Sequence, residues 1–383
     1  MPTPLSTPLS AFSPADRFDP RDFFSYLCGL MTDILTSNNT PLAGRRVLIV
    51  GAGGFIGGFL AAEALRRGAD VTCMVRPSTS RRYLADPALH FAVAESFDSP
   101  EAIAAALGTD TDRWDYIIYN LGATKAANFA DFNRINFGFL RNFLDALRST
   151  GKIPERLLYM SSLSALGKGD ERGYTPMADT MIPNPDTRYG LSKMKAETLL
   201  DTTTDIPWTI LRPTGVYGPH EQDYLMMVKC IDRHFDFGVG FRRQMLTFIY
   251  VEDLARAVFD AVAAPAAKGR KYIVSELQSY SQADFRRIVA EELGTRFILP
   301  VRLPLWITRI VCVVAEKWGV AKLKPSTLNT DKYNILRQRN WQTDCSRAVA
   351  DFGFAPRVGL REGIREVIRA WRADEAAAAA KGR

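Results

Sequence analysis

Tyr189 and Lys193, in Tyr189-Gly190-Leu191-Ser192-Lys193, stand four residues apart. On a helix that spacing puts both side chains on one face, so an ammonium stands beside a phenol. A tyrosine titrating at about 10 in water is a poor base at neutral pH, and a neighbouring cation lowers that value by stabilising the phenolate. A phenol so tuned can take or give a proton. Alone, such a pair is an ordinary surface feature of an amphipathic helix, and Ser161-Ser162 upstream is ordinary turn chemistry.

A second cluster changes that reading. Val47-Leu48-Ile49-Val50 runs into Gly51-Ala52-Gly53-Gly54-Phe55-Ile56-Gly57-Gly58. The apolar run reads as a buried strand, and the glycines let the chain turn tightly and bring a helix N-terminus against a pyrophosphate. The spacing GxxGxxG at Gly51, Gly54 and Gly57 departs from the GxGxxG fingerprint, so the turn by itself is a partial match. The end of the second strand bears on the choice of dinucleotide. An acidic residue there would accept the ribose 2′-hydroxyl of NAD, whereas a basic one accommodates the 2′-phosphate of NADP. Here Val75 is followed by Arg76, with Arg81 and Arg82 close behind. NADP is therefore favoured over NAD, unless Arg76 stacks on adenine and leaves the choice open.

The elements that must position these groups follow from periodicity. Strand-like apolar runs at 47–50, 71–75, 90–94, 116–119, 156–160 and 208–211 alternate with helical patterns at 55–67, 100–107, 135–150 and 189–202. This rhythm predicts an α/β fold with a Rossmann-type doubly wound parallel sheet. The expected division is an N-terminal extension over 1–43 and a dinucleotide-binding domain over 44–218, to which 247–263 returns as one more strand and helix. A smaller, mainly C-terminal substrate-binding lobe covers 219–246 and 264–372, with a tail over 373–383. The alanine run 376–380 reads as a fraying helix end.

In order along the chain, these segments resemble the extended short-chain dehydrogenase/reductase family, also called the NAD(P)-dependent epimerase/dehydratase family, over about residues 44–372. The resemblance rests on the Gly51-to-Gly57 turn with its Phe55 and Ile56, on 115–123 in place of the strand-four signature, and on Asn136. Ser161-Ser162, Tyr189 with Lys193, and Arg212-Pro213-Thr214-Gly215-Val216-Tyr217-Gly218-Pro219 complete it. It implies hydride transfer at nicotinamide C4 with proton transfer through Tyr189. It also implies that Ser162, five residues before Gly167, holds the substrate oxygen, with Ser161 as the alternative and Ser164 touching substrate. Asn136 would hold a water or the helix carbonyls near Lys193, or else serve as a cap. Glu95 and Ser96 would lie near the adenine, Leu121, Gly122 and Ala123 along the cofactor, and Pro213 and Thr214 beside the nicotinamide. Family members often dimerise through helices matching 135–150 and 189–202, so a homodimer is expected.

Three activities are compatible with these residues. One is a reductase or dehydrogenase acting on a secondary alcohol or ketone, as in the 3β-hydroxysteroid dehydrogenase and dihydroflavonol reductase branches. Another is a nucleotide-sugar epimerase or dehydratase, in which the same step is internal and the cofactor recycles. The third is a non-catalytic dinucleotide-binding protein, which has no chemical need for Ser162, Tyr189 and Lys193 together. Sugar-nucleotide epimerases carry an Arg-Asp pair just before the strand that reads here as 248–251, the Arg holding a diphosphate; this chain has Leu246-Thr247, with Arg242 and Arg243 as the nearby cations. A dehydratase would want an acid beside the catalytic serine, where Leu163 stands. Residues 297–320 are strongly apolar, interrupted by Arg302, Arg309, Glu316 and Lys317. An apolar steroid-, flavonoid- or lipid-like substrate suits such a lobe. The run is too short between charges for a membrane span and reads as a buried lobe helix, a substrate entry or a peripheral membrane contact.

Composition sets the outer limits. The 383 residues are 47% hydrophobic, ample for a large core. The net charge of +7 comes from 49 basic and 42 acidic residues without a dense basic block, which disfavours nucleic acid as a partner. Five scattered cysteines without a CxxC pair fit reduced thiols in a cytoplasm, and three histidines make a histidine-rich metal centre an unlikely reading. Residues 1–18 lack the features of a secretory signal, and 19–37 carry apolar residues at helical spacing, suited to docking on the body or on a dimer partner. Met31 offers a second candidate start.

Overall fold

The parity of the strand residues builds the core. In β1 (Arg46–Val50), Val47 and Ile49 face one side of a sheet while Leu48 and Val50 face the other, and all four are fully buried. A strand buried on both faces is the mark of a parallel sheet covered by helices on either side. The computed structural model describes residues 42–108, 113–126, 128–321 and 329–381. The expected 19–37 helix lies outside them.

β1 is joined in one parallel sheet by β2 (Asp70–Val75), β3 (His90–Val93), β4 (Tyr116–Tyr119), β5 (Arg156–Met160) and β6 (Trp208–Pro213). After the lobe strands β7 (Gly215–Tyr217), β8 (Phe235–Val239), β9 (Met245–Leu246) and β10 (Phe248–Tyr250), β11 (Arg270–Val274) adds a seventh strand beside β6. The order is β11-β6-β5-β4-β1-β2-β3, doubly wound with its reversal between β1 and β4. The six strands expected from sequence are present. The seventh is a correction, because it lies inside 264–372, the stretch assigned above to the lobe: Tyr272, Ile273 and Val274 are fully buried against β6. A second correction is β10, which pairs with β7 outside this sheet, so that of 247–263 only the helix returns to it.

Helices Phe55–Arg66 and Val251–Ala263 cover one face of the sheet, and Pro100–Leu107, Phe139–Thr150 and Arg188–Asp201 the other. The Pro100–Leu107 boundaries have local causes. Ser99 accepts a hydrogen bond from the Ala102 N–H, Pro100 sits in the first turn, and Gly108 ends the helix at φ 81°. A third apolar cluster makes the lobe, joining Tyr217, Phe248 and Tyr250 to Phe285, Ile288 and Val289 of helix Gln282–Leu293 and to Ile364, Val367 and Ile368 of helix Leu360–Lys381. Short strands β12 (Tyr280–Ser281) and β13 (Leu299–Leu303) pair with β9 and β8. The alanine run continues the last helix to Lys381. Among the described residues no helix is long and apolar enough to cross a membrane.

Candidate active site

The glycine turn sits at the C-terminal end of β1, on the carboxyl edge of the sheet where ligands of such folds lie. Gly51 adopts φ +84°, and a Cβ there would come 2.8 Å from the backbone of Leu121, so the turn and the end of β4 pack main chain to main chain. Gly54 caps helix Phe55–Arg66 without a side-chain bond, and the first turn holds no acid. The N–H groups of that turn and the positive end of the helix dipole suit an anion. Arg76 follows β2, exposed, its backbone N–H bound to the Thr79 hydroxyl at 3.1 Å and its guanidinium without a carboxylate partner among the described residues. Arg81 lies 4.1 Å from the centre of the Phe91 ring, and Arg82 faces Asp374 at 3.8 Å. Glu95 is exposed and Ser96 half-buried beyond β3.

Thr187 caps helix Arg188–Asp201 by accepting from the Gly190 N–H at 3.0 Å, which fixes where the helix starts and so which face Tyr189 and Lys193 share. The Lys193 ammonium donates to the Met160 carbonyl at the end of β5, at 2.8 Å, and lies 4.9 Å from the centre of the Tyr159 ring. Ser162 lies close enough to the Tyr189 phenol to oppose the effect of burial on it. Its backbone is extended (φ −161°, ψ 151°), so the neighbouring serine points the other way. Ser161 donates to Glu197 at 2.5 Å inside the core. Of the two serines, geometry brings Ser162 to the tyrosine. Ser164 contributes its backbone N–H to the Ser162 hydroxyl at 3.2 Å.

Asn136 lies inside a continuous helical stretch that begins at Phe129, not at a helix start; the stretch passes through a π turn at Arg134–Gly138. Such turns widen a helix and are frequent at functional sites. The fully buried Asn136 amide accepts from the Ala123 N–H at 2.8 Å and donates to the Ala123 carbonyl at 3.0 Å and to the Ser192 hydroxyl at 2.9 Å. Ser192 in turn donates to the Tyr189 carbonyl at 2.7 Å. Asn136 is thus a clamp between the segment after β4 and the tyrosine helix. Gly122, beside it, is closely packed: a Cβ would come 3.0 Å from both the Asn136 oxygen and the Lys193 nitrogen.

The electrostatics correct one expectation. Burial raises the Tyr189 phenol to about 12, with the nearby Ser162 hydroxyl pulling weakly the other way. Burial also lowers Lys193 to about 7, opposed by the charge of Glu197. The lysine does not lower the phenol here, because desolvation dominates both groups and the ammonium is directed at Met160.

A buried ionic cluster lies behind the site. Glu197, one turn beyond Lys193, takes a two-pronged contact from Arg212 at 3.0 and 2.6 Å, and Lys271 approaches it at 3.5 Å. These cations outweigh burial and hold the Glu197 carboxyl below its usual range. From the lobe side, Asp331 accepts from the Tyr189 N–H at 3.3 Å and from Arg188 at 3.1 Å. Glu197 was findable as the next same-face residue after Lys193; Asp331 was not, because it comes from 142 residues away.

A dinucleotide fits these residues. The Gly51-to-Gly57 cradle is uncapped, and the Thr214 hydroxyl, buried beyond Pro213 at the end of β6, has no hydrogen-bond partner. Fold and site together define a dinucleotide-binding α/β protein with a Ser-Tyr-Lys cluster. The profile of the NAD dependent epimerase/dehydratase family matches residues 47–275, and the chain belongs to that family. NAD(P) is its cofactor. No curated protein sequence matches the chain. Among solved structures it is similar to an epimerase from Methanothermobacter thermautotrophicus, at 17% identity over 90% of this chain and 97% of that one, with a TM-score of 0.72. It is also similar to the Thermus thermophilus UDP-glucose 4-epimerase in complex with NAD (19% identity, 85% and 99% covered, TM-score 0.66). A third is RMD from Pseudomonas aeruginosa complexed with NADPH (17%, 86% and 99%, TM-score 0.63). At such identities the likeness is one of fold.

Proposed function

We propose that this chain is an NADP-preferring oxidoreductase acting on an uncharged secondary alcohol or ketone of apolar character. The observation that carries this reading is the pairing of Arg188, Lys125 and Lys332 with carboxylates. Arg188 is held by Glu316 and Asp331, at 2.6 and 3.1 Å. Lys125 and Lys332 share Asp223, at 2.8 and 3.3 Å. Thr247, standing where the family resemblance expects a diphosphate-binding segment, is buried with its hydroxyl on the Trp341 carbonyl at 2.6 Å. Arg242 and Arg243 are exposed. A substrate carrying a diphosphate would have to break these ion pairs to gain Arg188, Lys125 or Lys332, whereas a neutral one would not.

In this reading the backbone N–H groups after Gly54 hold the pyrophosphate, Arg76 the 2′-phosphate, and Pro213 and Thr214 the nicotinamide side. When bound there, the nicotinamide supplies hydride exchange with the substrate carbon. Ser162 orients the substrate oxygen, Tyr189 gives or takes the proton at that oxygen, and Lys193, one turn on along the same helix face, stays anchored on the Met160 carbonyl. Asn136 positions this group through Ser192 and Ala123.

A second reading, nucleotide-sugar epimerisation, draws support from neighbours such as the UDP-glucose 4-epimerase. The two are separated by following 340 nm absorbance with NADPH or NADH against apolar ketones, steroids and flavonoids, with nucleotide sugars analysed for product in parallel. Stoichiometric NADPH loss with an apolar ketone is expected; sugar conversion without net cofactor change overturns the proposal.

A further inference from the structure

The lobe carries an apolar surface that neither the fold nor the reaction uses. β8 and β13 pair in parallel with Leu299 beside Phe235 and Val301 beside Phe237, so these four share one face of a two-stranded ribbon. Phe235 and Phe237 stack with ring centres 5.9 Å apart, and both, with Leu299, are exposed. Phe241, 74% exposed, follows β8, and Trp306, 66% exposed, opens the helix Leu305–Ala321 that follows β13. These ends are adjacent, since the Gly240 N–H donates to the Leu303 carbonyl at 2.8 Å. Along that helix Ile310 and Val314 continue the exposed stripe at spacings of four. An apolar surface of this extent marks an interaction site.

The charges around it select the partner. Arg233, Arg242, Arg243, Arg296 and Arg309 come from the same two segments, are exposed, and have no ion-pair partner among the described residues. The acids on these elements are otherwise engaged: Asp236 points to the opposite face and takes Arg286 and Arg302, at 3.3 and 2.8 Å, while Glu316 takes Arg188. Asp232 is the exposed carboxylate left beside the five arginines, and His234 directs its ring nitrogen to the Phe297 carbonyl. Aromatic and aliphatic side chains flanked along the chain by exposed cations suit the boundary between acyl chains and anionic headgroups. A second copy of the chain suits it poorly, because a two-fold contact would set these arginines against themselves.

We propose that this face of the lobe docks on a bilayer surface carrying anionic headgroups, with Phe237, Phe241 and Trp306 seated at the acyl boundary. The inference is independent of which reaction the site performs. The test is cosedimentation of the full chain with phosphatidylcholine vesicles, with and without phosphatidylglycerol, beside F241S/W306S and R242E/R243E. The wild type is expected to bind the phosphatidylglycerol vesicles, less so as salt rises, with each variant at least about tenfold weaker. No binding to either vesicle, equal binding to both, or undiminished binding by both variants overturns the proposal. So does sedimentation velocity without lipid in which F241S/W306S converts a dimer to a monomer, since that outcome gives the face to a second copy. The arginine pair is exposed, so R242E/R243E tests the proposal even if the apolar variant misfolds.

Discussion

Replacing Arg76 by alanine isolates the cofactor preference from every question about substrate. The side chain is exposed, and no carboxylate among the described residues holds it, so its removal breaks no ion pair among them. Its backbone N–H, bound to Thr79, is untouched by the substitution. A charge-assisted contact to a phosphate contributes roughly 1.5–3 kcal/mol, and solvent exposure reduces an ion pair toward about 1 kcal/mol or less. An intermediate value of ~1.4 kcal/mol is tenfold in affinity. Titrating NADPH and NADH by their fluorescence, R76A should weaken NADPH about tenfold and leave NADH within about twofold. Arg81 already lies against Phe91, and Arg82 faces Asp374. R81A and R82A should therefore each change the NADPH/NADH ratio by less than about threefold. The R76A effect should shrink as salt rises. A wild type that prefers NADH, or an R76A variant that loses both dinucleotides equally, would refute the assignment of Arg76 to the 2′-phosphate.

Three further perturbations follow from the geometry. Tyr189→Phe keeps the ring and removes the proton, so turnover should fall by about 10²-fold or more while dinucleotide affinity stays within about threefold; undiminished turnover in the 340 nm assay would overturn the proton-transfer role. Gly122→Ala pushes a methyl group against the Lys193 ammonium and the Asn136 oxygen. It should cost turnover about tenfold or more through misplacement and change denaturant stability by only about 1 kcal/mol, and the comparison of the two measurements checks it. Glu276, buried near Asp253, is raised from 4.5 to about 8 by burial and then by that neighbouring charge. Between these values the folded chain binds more protons than the unfolded one, so stability contributed by this group is present below about 4.5 and lost as pH rises through about 8. Glu276→Gln should flatten that decline in urea melts taken across the window; an unchanged slope would count against the raised carboxyl.

What could be read from the sequence was what repeats or sits in a contiguous motif. Apolar runs and 3.6-residue spacing located the six strands and the helices over them, because burial on a sheet face is a local pattern. β11 escaped because a single strand returning after a long lobe has no neighbouring rhythm to announce it. The Asn136 clamp was legible as a residue but not as a geometry: its partners Ala123 and Ser192 are 13 and 56 residues away. The choice between Ser161 and Ser162 is also tertiary. It depends on Glu197 and Arg212 occupying one side of the extended chain and Tyr189 the other.

That last arrangement explains why so much charge lies next to a site proposed for a neutral substrate. Glu197 orients Ser161 and Arg212, and Arg212 also donates to the Asp179 carbonyl at 3.3 Å. The Asp179 carboxylate in turn accepts from the Ile273 N–H at 2.5 Å. One contact after another thus ties the carboxyl ends of β5, β6 and β11, the edge from which Ser162 and Thr214 project. Removing one partner would leave the other charge buried and uncompensated, a cost of about 3–5 kcal/mol. The pairing therefore holds the geometry without presenting a free charge to the substrate. Among the described residues, Arg76 and the lobe-face arginines, where an anionic partner is proposed, have no ion-pair partner.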